Sequence, residues 1–146
     1  MLKRRRILLQ AALAAALWPL RALAAGWNKD AFQAKTAAEA LKGIGAIGAS
    51  ESKDILIDAP EIAENGAVVP VEITSNLPGT RAIAVVIEKN PFPLAAQFDF
   101  LEGAVPFVKV NLKLGESSKV RVIAQAGGRS YEAAREIKVT IGGCGG

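Results

Sequence analysis

Residues 107–114, "FVKVNLKL", alternate apolar and polar side chains without a break: Val108, Val110, Leu112 and Leu114 fall on one side, Lys109, Asn111 and Lys113 on the other. A β-strand turns successive side chains to opposite faces, so this period of two describes a half-buried strand. The same period recurs on both sides of it. "VVPVEIT" (68–74) aligns Val69, Val71 and Ile73, "RAIAVVIEK" (81–89) aligns Ile83, Val85 and Ile87, and "EIKVTI" (136–141) aligns Ile137, Val139 and Ile141. Shorter strands are expected at Ile55–Ile57, Gln97–Phe100 and Lys119–Ala124. Glu64-Asn65-Gly66, Asn76-Leu77-Pro78-Gly79, Asn90-Pro91, Gly115-Glu116 and Gly127-Gly128 supply turn chemistry between them.

About seven short strands at such spacing predict an all-β fold, an immunoglobulin-like antiparallel β-sandwich. Pro70 cannot donate to a ladder, which places its strand at an edge. Val86 and Phe107 point away from the apolar faces of their own strands, as if a second protein covered part of the outer surface. Ahead of the strands, residues 28–42 read as one short helix: Asp30 and Gln33 have the spacing of a capping box, alanines dominate, and Gly43 is a natural stop. This helix is expected to pack loosely on one side.

The first 26 residues, "MLKRRRILLQAALAAALWPLRALAAG", are a targeting segment in pattern. Lys3-Arg4-Arg5-Arg6 form a charged start, Ile7–Leu20 an apolar stretch of 14 residues, and Ala22-Leu23-Ala24 a small-residue cleavage signal. The stretch is short of the roughly 20 residues that span a bilayer. The arginines followed by Ile7-Leu8 have the look of a twin-arginine export signal, which places the protein in the periplasm. The chain accordingly divides into a leader (1–24), a sandwich domain with its helix (25–141), and a Gly-Gly-Cys-Gly-Gly tail (142–146).

Removing the leader also removes the apparent basicity. Five of the 18 Lys and Arg residues leave with it and none of the 14 acids, so the remainder carries 13 positive against 14 negative charges. No electrostatic footprint for nucleic acid remains, and no membrane attachment is expected once the leader is gone. The sequence has no histidine and one cysteine, which excludes histidine-based nucleophile systems and a thiolate metal cage. No cofactor or metal is expected. Asp58, Glu61 and Glu64 in "DAPEIAEN" are the only candidates for a carboxylate site, and a solvated loop explains them. Gly43-Ile44-Gly45-Ala46-Ile47-Gly48 spells G-x-G-x-x-G, but it leaves a helix and leads to a strand. Dinucleotide binding needs the reverse order, so that a helix N-terminus meets the pyrophosphate.

Cys144 lies two residues from the end of the sequence, between Gly142-Gly143 and Gly145-Gly146. Glycines supply no side chains to bury a thiol, and an exported lone cysteine risks stray oxidation, so an incidental role fits poorly. Beyond Ile141, five residues at roughly 3.3 Å each reach about 16 Å. A thiol on so thin an arm can enter a channel too narrow for a folded surface. Nothing adjacent in sequence lowers its pKa, so activation would come from the enzyme that receives it.

These residues resemble the SoxY family, the sulfur-carrier subunits of the thiosulfate-oxidising Sox system. The resemblance is carried by "KVTIGGCGG" at 138–146, "PEIAENGAVVPVEI" at 60–73 and "EKNPFPLAAQFDF" at 88–100. It implies an immunoglobulin-like carrier that is not itself an enzyme and that pairs with a separate SoxZ-like subunit as a heterodimer. It further implies that a SoxXA-like haem enzyme conjugates thiosulfate to Cys144, that a SoxB-like hydrolase releases sulfate, and that a sulfane dehydrogenase acts on the remaining sulfur. Gly142, Gly143, Gly145 and Gly146 would form the flexible arm and Cys144 the attachment point. Two other readings share these residues: a carrier using its terminal Gly-Gly as a thiocarboxylate, and an exported immunoglobulin-like binding module whose Cys144 forms an intermolecular disulfide. A Cys144→Ala variant separates the three.

Overall fold

The computed structural model describes Gly26 and residues 28–140. Two helices, α1 (Lys29–Gln33) and α2 (Ala37–Gly43), precede nine strands: β1 (Ser50–Glu51), β2 (Ile55–Asp58), β3 (Ile62–Ala63), β4 (Val69–Ser75), β5 (Thr80–Ile87), β6 (Leu94–Asp99), β7 (Phe107–Leu112), β8 (Ser118–Ala126) and β9 (Arg129–Val139). One sheet runs β1-β9-β8-β5-β6, with β3 also on β9; the other runs β2-β4-β7. The expected all-β sandwich is present.

The alternating residues meet between the sheets. Val69, Val71 and Ile73 of β4 and Val108 and Leu112 of β7 face Ile83, Val85 and Ile87 of β5, Val120 and Val122 of β8, and Ile137 of β9. Each such side chain taken fully out of water contributes roughly 1.5–3 kcal/mol before ordering costs, so the two-residue period selects this face over its opposite. The Gly127-Gly128 turn joins β8 to β9 with φ of 56° and 74°. Two consecutive positive φ values match the right-handed twist of the hairpin and are readily reached only by glycine.

Four details depart from the sequence-based expectations. The single helix of 28–42 is two, broken at Ala34–Thr36, because each half has its own cap. Asn28 Oδ1 accepts from the Ala31 N–H at 3.3 Å, and Thr36 Oγ1 accepts from the Glu39 N–H at 3.2 Å. Glu39 reaches back to the Lys35 N–H at 3.1 Å, so the signal at Thr36-x-x-Glu39, and not the Asp30–Gln33 pair, marks a helix start.

The helices do not pack loosely. Ala31, Ala40, Leu41, Ile44 and Ala46 close over Ala84, Val86, Leu94 and Ile123 on the outer face of the larger sheet, forming a second core. Val86 is therefore covered by the chain's own N-terminal segment, while Phe107 stays 46% exposed. Gln125 Nε2 donates to the Ile44 carbonyl at 2.7 Å and fixes the end of α2 to β8.

Pro70 lies on β4, the central strand of the smaller sheet. Its neighbour β2 pairs only as far as Glu72, so Pro70 sits beyond that strand's end, where the open side asks for no donor. Finally, β9 begins at Arg129, seven residues before the alternating run at 136.

Candidate functional site

Cys144, Gly142, Gly143, Gly145 and Gly146, together with the 1–24 leader, lie outside the described residues. What the structure positions is the base from which they depart. The final residues of β9 are held on both edges. On one, Lys138 N–H donates to the Glu61 carbonyl at 2.9 Å and Thr140 N–H to the Ala63 carbonyl at 3.1 Å. This makes a parallel pairing with β3 in the register Ile62↔Lys138 and Ala63↔Val139. On the other edge Ser117 Oγ accepts from the Val139 N–H at 2.8 Å. That hydroxyl stands in for a ladder partner just ahead of the first residue of β8. Thr140 then donates its own hydroxyl to the Glu64 carbonyl at 3.0 Å.

The same end of the sandwich is braced across both sheets. Asn65 Oδ1 accepts from the Ala67 N–H at 2.9 Å, closing a turn over Gly66, and the Gly66 carbonyl accepts from the Leu114 N–H at 2.7 Å. Asn90 Nδ2 donates to the Lys113 carbonyl at 2.8 Å while its Oδ1 accepts from the Gly115 N–H at 3.1 Å. The β5–β6 and β7–β8 loops are thus tied by one amide side chain. Lys35 Nζ rests 3.6 Å from the centre of the Phe92 ring in the former loop, a contact of the cation–π kind. Glu64-Asn65-Gly66 and Asn90-Pro91, turn signals in the sequence, prove to be the girders of this end.

Ser117 and Thr140 went unnoticed in the sequence. Thr140 lies on the polar face of the alternating run 136–141, and no motif singles out Ser117. Only their partners, carbonyls and N–H groups distant in sequence, give them a role.

A cleft of about 660 Å³ is at the opposite end, lined by Ser75, Leu77, Thr80, Arg81, Phe100 and Leu101 among others. The last described residues of β9 lie at the other pole, beside β3 and the start of β8. Across the outer face of the smaller sheet, Leu56, Thr74 and Phe107 share one register row, with Leu56 and Phe107 about half exposed. The next row is ionic: Lys109 Nζ bonds Glu72 Oε1 at 2.6 Å. That hydrogen bond, and then the charge of Glu72, raise the Lys109 pKa above its ordinary 10.5. Arg121 on the larger sheet pairs with Glu132, and with Glu88 at 3.7 Å.

Among the described residues no three of His, Cys, Asp and Glu gather as a metal site, and Asp58, Glu61 and Glu64 are not brought together. The glycines of 43–48 serve packing and turns: a Cβ on Gly43 would lie 2.7 Å from Ala31 Cβ, and Gly45 and Gly48 have φ of 69° and 72°. Among the described residues no helix is long and apolar enough to cross a membrane.

A family model described as "Sulfur oxidation protein SoxY" matches residues 41–144. Among solved structures, the sulfur carrier protein SoxY from Chlorobium limicola f thiosulfatophilum is 38% identical, covers 78% of this chain and 100% of its own, and superposes with a TM-score of 0.66. A superoxide reductase (neelaredoxin) from Ignicoccus hospitalis is 27% identical over 58% of this chain and 79% of its own, TM-score 0.52. A variant of that reductase, at 24% identity over 71% and 92%, has a TM-score of 0.53. The reductases share the sandwich. Comparison with curated protein sequences returned no match.

Proposed function

The chain belongs to the SoxY family of sulfur oxidation proteins, and on that premise we propose that Cys144 is the atom-level carrier, presented on an arm of Gly142, Gly143, Gly145 and Gly146. A sulfur-carrier role in thiosulfate oxidation is the function of the whole; the proposal concerns which residues perform it and with whom. The family match extends to Cys144 itself, and this is the observation that carries the reading. It is supported by the rigid end of the sandwich, which holds β9 on both edges up to Thr140.

The chemistry the arm would undergo balances as follows. Thiosulfate and the Cys144 thiol join through a new S–S bond, releasing one proton, and two electrons pass to an oxidising partner, in this reading a SoxXA-like haem enzyme. Water then cleaves the terminal sulfonate as hydrogen sulfate and leaves a persulfide on Cys144, the task of a SoxB-like hydrolase. A sulfane dehydrogenase would oxidise the remaining sulfur. This chain supplies no acid, base or electron acceptor of its own to these steps; it is a substrate-bearing subunit acted upon by enzymes. It is exported to the periplasm by the twin-arginine leader (1–24) and works as a heterodimer with a SoxZ-like subunit.

Intact-mass analysis with peptide mapping, on protein taken from its native compartment during growth on thiosulfate, tests this. Reductant-labile sulfur or sulfonate adducts on the Cys144 peptide are expected. An unmodified thiol, or a Cys144–Cys144 disulfide alone, would overturn the assignment. Cys144→Ala is expected to abolish adduct formation and leave the unfolding midpoint unchanged, because the residue follows the last described strand by five positions.

A further inference from the structure

The most exposed large apolar side chains among the described residues are Leu101, at 86%, and Val105, at 76%. Both stand on the segment 100–106, which carries the chain from β6 in one sheet to β7 in the other. That segment is held in shape. Phe100 N–H donates to the Arg81 carbonyl at 2.8 Å, Ala104 N–H to the Leu101 carbonyl at 3.0 Å, and Ser75 N–H to the Pro106 carbonyl at 3.0 Å. Phe107 follows directly, and the register row of Phe107, Thr74 and Leu56 continues the apolar surface across the smaller sheet. On its other side the segment walls the cleft of about 660 Å³, together with Leu77 and Phe100.

Continuous apolar surface beside a concavity marks a protein interface, and a loop already in shape binds without a large ordering cost. The helical pair covers the larger sheet and leaves this surface bare. Its rim carries one charge of each sign, Arg81 and Glu102, so apolar contact dominates. We propose that this pole seats the second subunit of the heterodimer, which presses an aliphatic or aromatic anchor into the cleft between Leu77, Phe100 and Leu101. This rests on the heterodimer of the proposed function.

Distance selects that occupant. Arg129 is at the cleft's pole, where it lines a neighbouring hollow with Arg81, Phe100 and Leu101. Val139 is ten residues further along the same strand, about 33 Å away at the usual rise of a strand. Cys144 comes five positions after Val139 and, whatever path the chain takes, stays within about 18 Å of it. The thiol therefore cannot be brought to the cleft. Enzymes that act on Cys144 need the opposite pole open, and a subunit that stays bound while they come and go must sit clear of it. The apolar pole meets that condition.

The test titrates the SoxZ-like subunit into the full mature chain by calorimetry and follows mass by light scattering. Leu101→Asp and Val105→Asp should each raise Kd about tenfold or more, as a charge at an interface centre does. Ile62→Asp and Val68→Asp, exposed at the other pole, should leave Kd within about twofold. All four are surface positions, so parent-like thermal unfolding checks that each variant is folded. Parent-like Kd in the Leu101 and Val105 variants, or weakening confined to the Ile62 and Val68 variants, would overturn the proposal. So would a dimer of the chain alone that Leu101→Asp dissociates with heterodimer Kd unchanged, which makes a second copy the occupant. A raised KM for loading by the haem enzyme, again with Kd unchanged, would hand the surface to that enzyme and overturn it equally. Failure of the heterodimer reading looks different: the parent itself would not bind the SoxZ-like subunit.

Discussion

Gly43 is the residue at which side-chain volume is least tolerated among the helices. A methyl group there would stand 2.7 Å from Ala31 Cβ and 3.0 Å from its Cα, so α1 and α2 would have to part. Gly→Ala at a helical position ordinarily stabilises; Gly43→Ala is expected to destabilise by about 1–3 kcal/mol, the usual cost of overpacking, read as a lowered urea midpoint. Lys109 and Glu72 make a contrasting pair, exposed and dependent on charge. Because the folded-state pKa of Lys109 is raised, its stabilising contribution is complete below the unfolded value and is lost as pH rises through the folded one. Above 10.5 the parent should therefore lose stability that Glu72→Gln has already lost, and the two denaturation midpoints should converge in strong alkali. The sequence allowed neither prediction. Gly43 looked like a stop signal, and the Glu72–Lys109 contact depends on which strand lies beside which.

At the scale of elements, alternation was legible and interruption was not. Strands β4, β5 and β7 bury the faces that their period predicts, since a face of Val, Ile and Leu has one place to go. The first eight residues of β9, "RSYEAARE", have no such period. It is a strand because the Gly127-Gly128 turn folds it onto β8, and because β1 covers part of its outer edge in a short parallel pairing. Those are relations among elements, which no local pattern contains. The broken helix is a different case: Thr36-x-x-Glu39 was present in the sequence and outranks Asp30–Gln33, whose supposed cap lies two residues too late. Thr36→Ala should cost about 1 kcal/mol, the usual loss for an N-cap, measurable as a drop in Tm. Asp30→Ala should cost less, since Asn28 is the residue that caps α1.

For the molecule as a whole, the two outward-facing apolar residues that looked alike in sequence have opposite fates. Val86 is sealed beneath the helical pair and Phe107 remains half exposed. Val86→Asp would bury a charge without a partner and should prevent folding or cost several kcal/mol. Phe107→Asp should change stability by no more than about 0.5 kcal/mol, as surface positions do. Thermal unfolding of the two variants side by side measures the difference. The candidate site divides along the same line. Its chemistry, a thiol among glycines, stood in the sequence, whereas its mounting on Ser117, Glu64 and Thr140 arises only when β3, β8 and β9 converge.

Every turnover would end with the arm being drawn out of an enzyme, and the sandwich bears that tension in a particular direction. Residues 129–137 of β9 pair with residues 118–126 of β8 along nine antiparallel positions, and Cys144 follows this strand in sequence. A pull along the axis of β9 would load the nine positions together in shear instead of opening them one after another. A hairpin mounted crosswise would peel. The carrier is built as a rope splice, and its cargo can be hauled without the fold unravelling behind it.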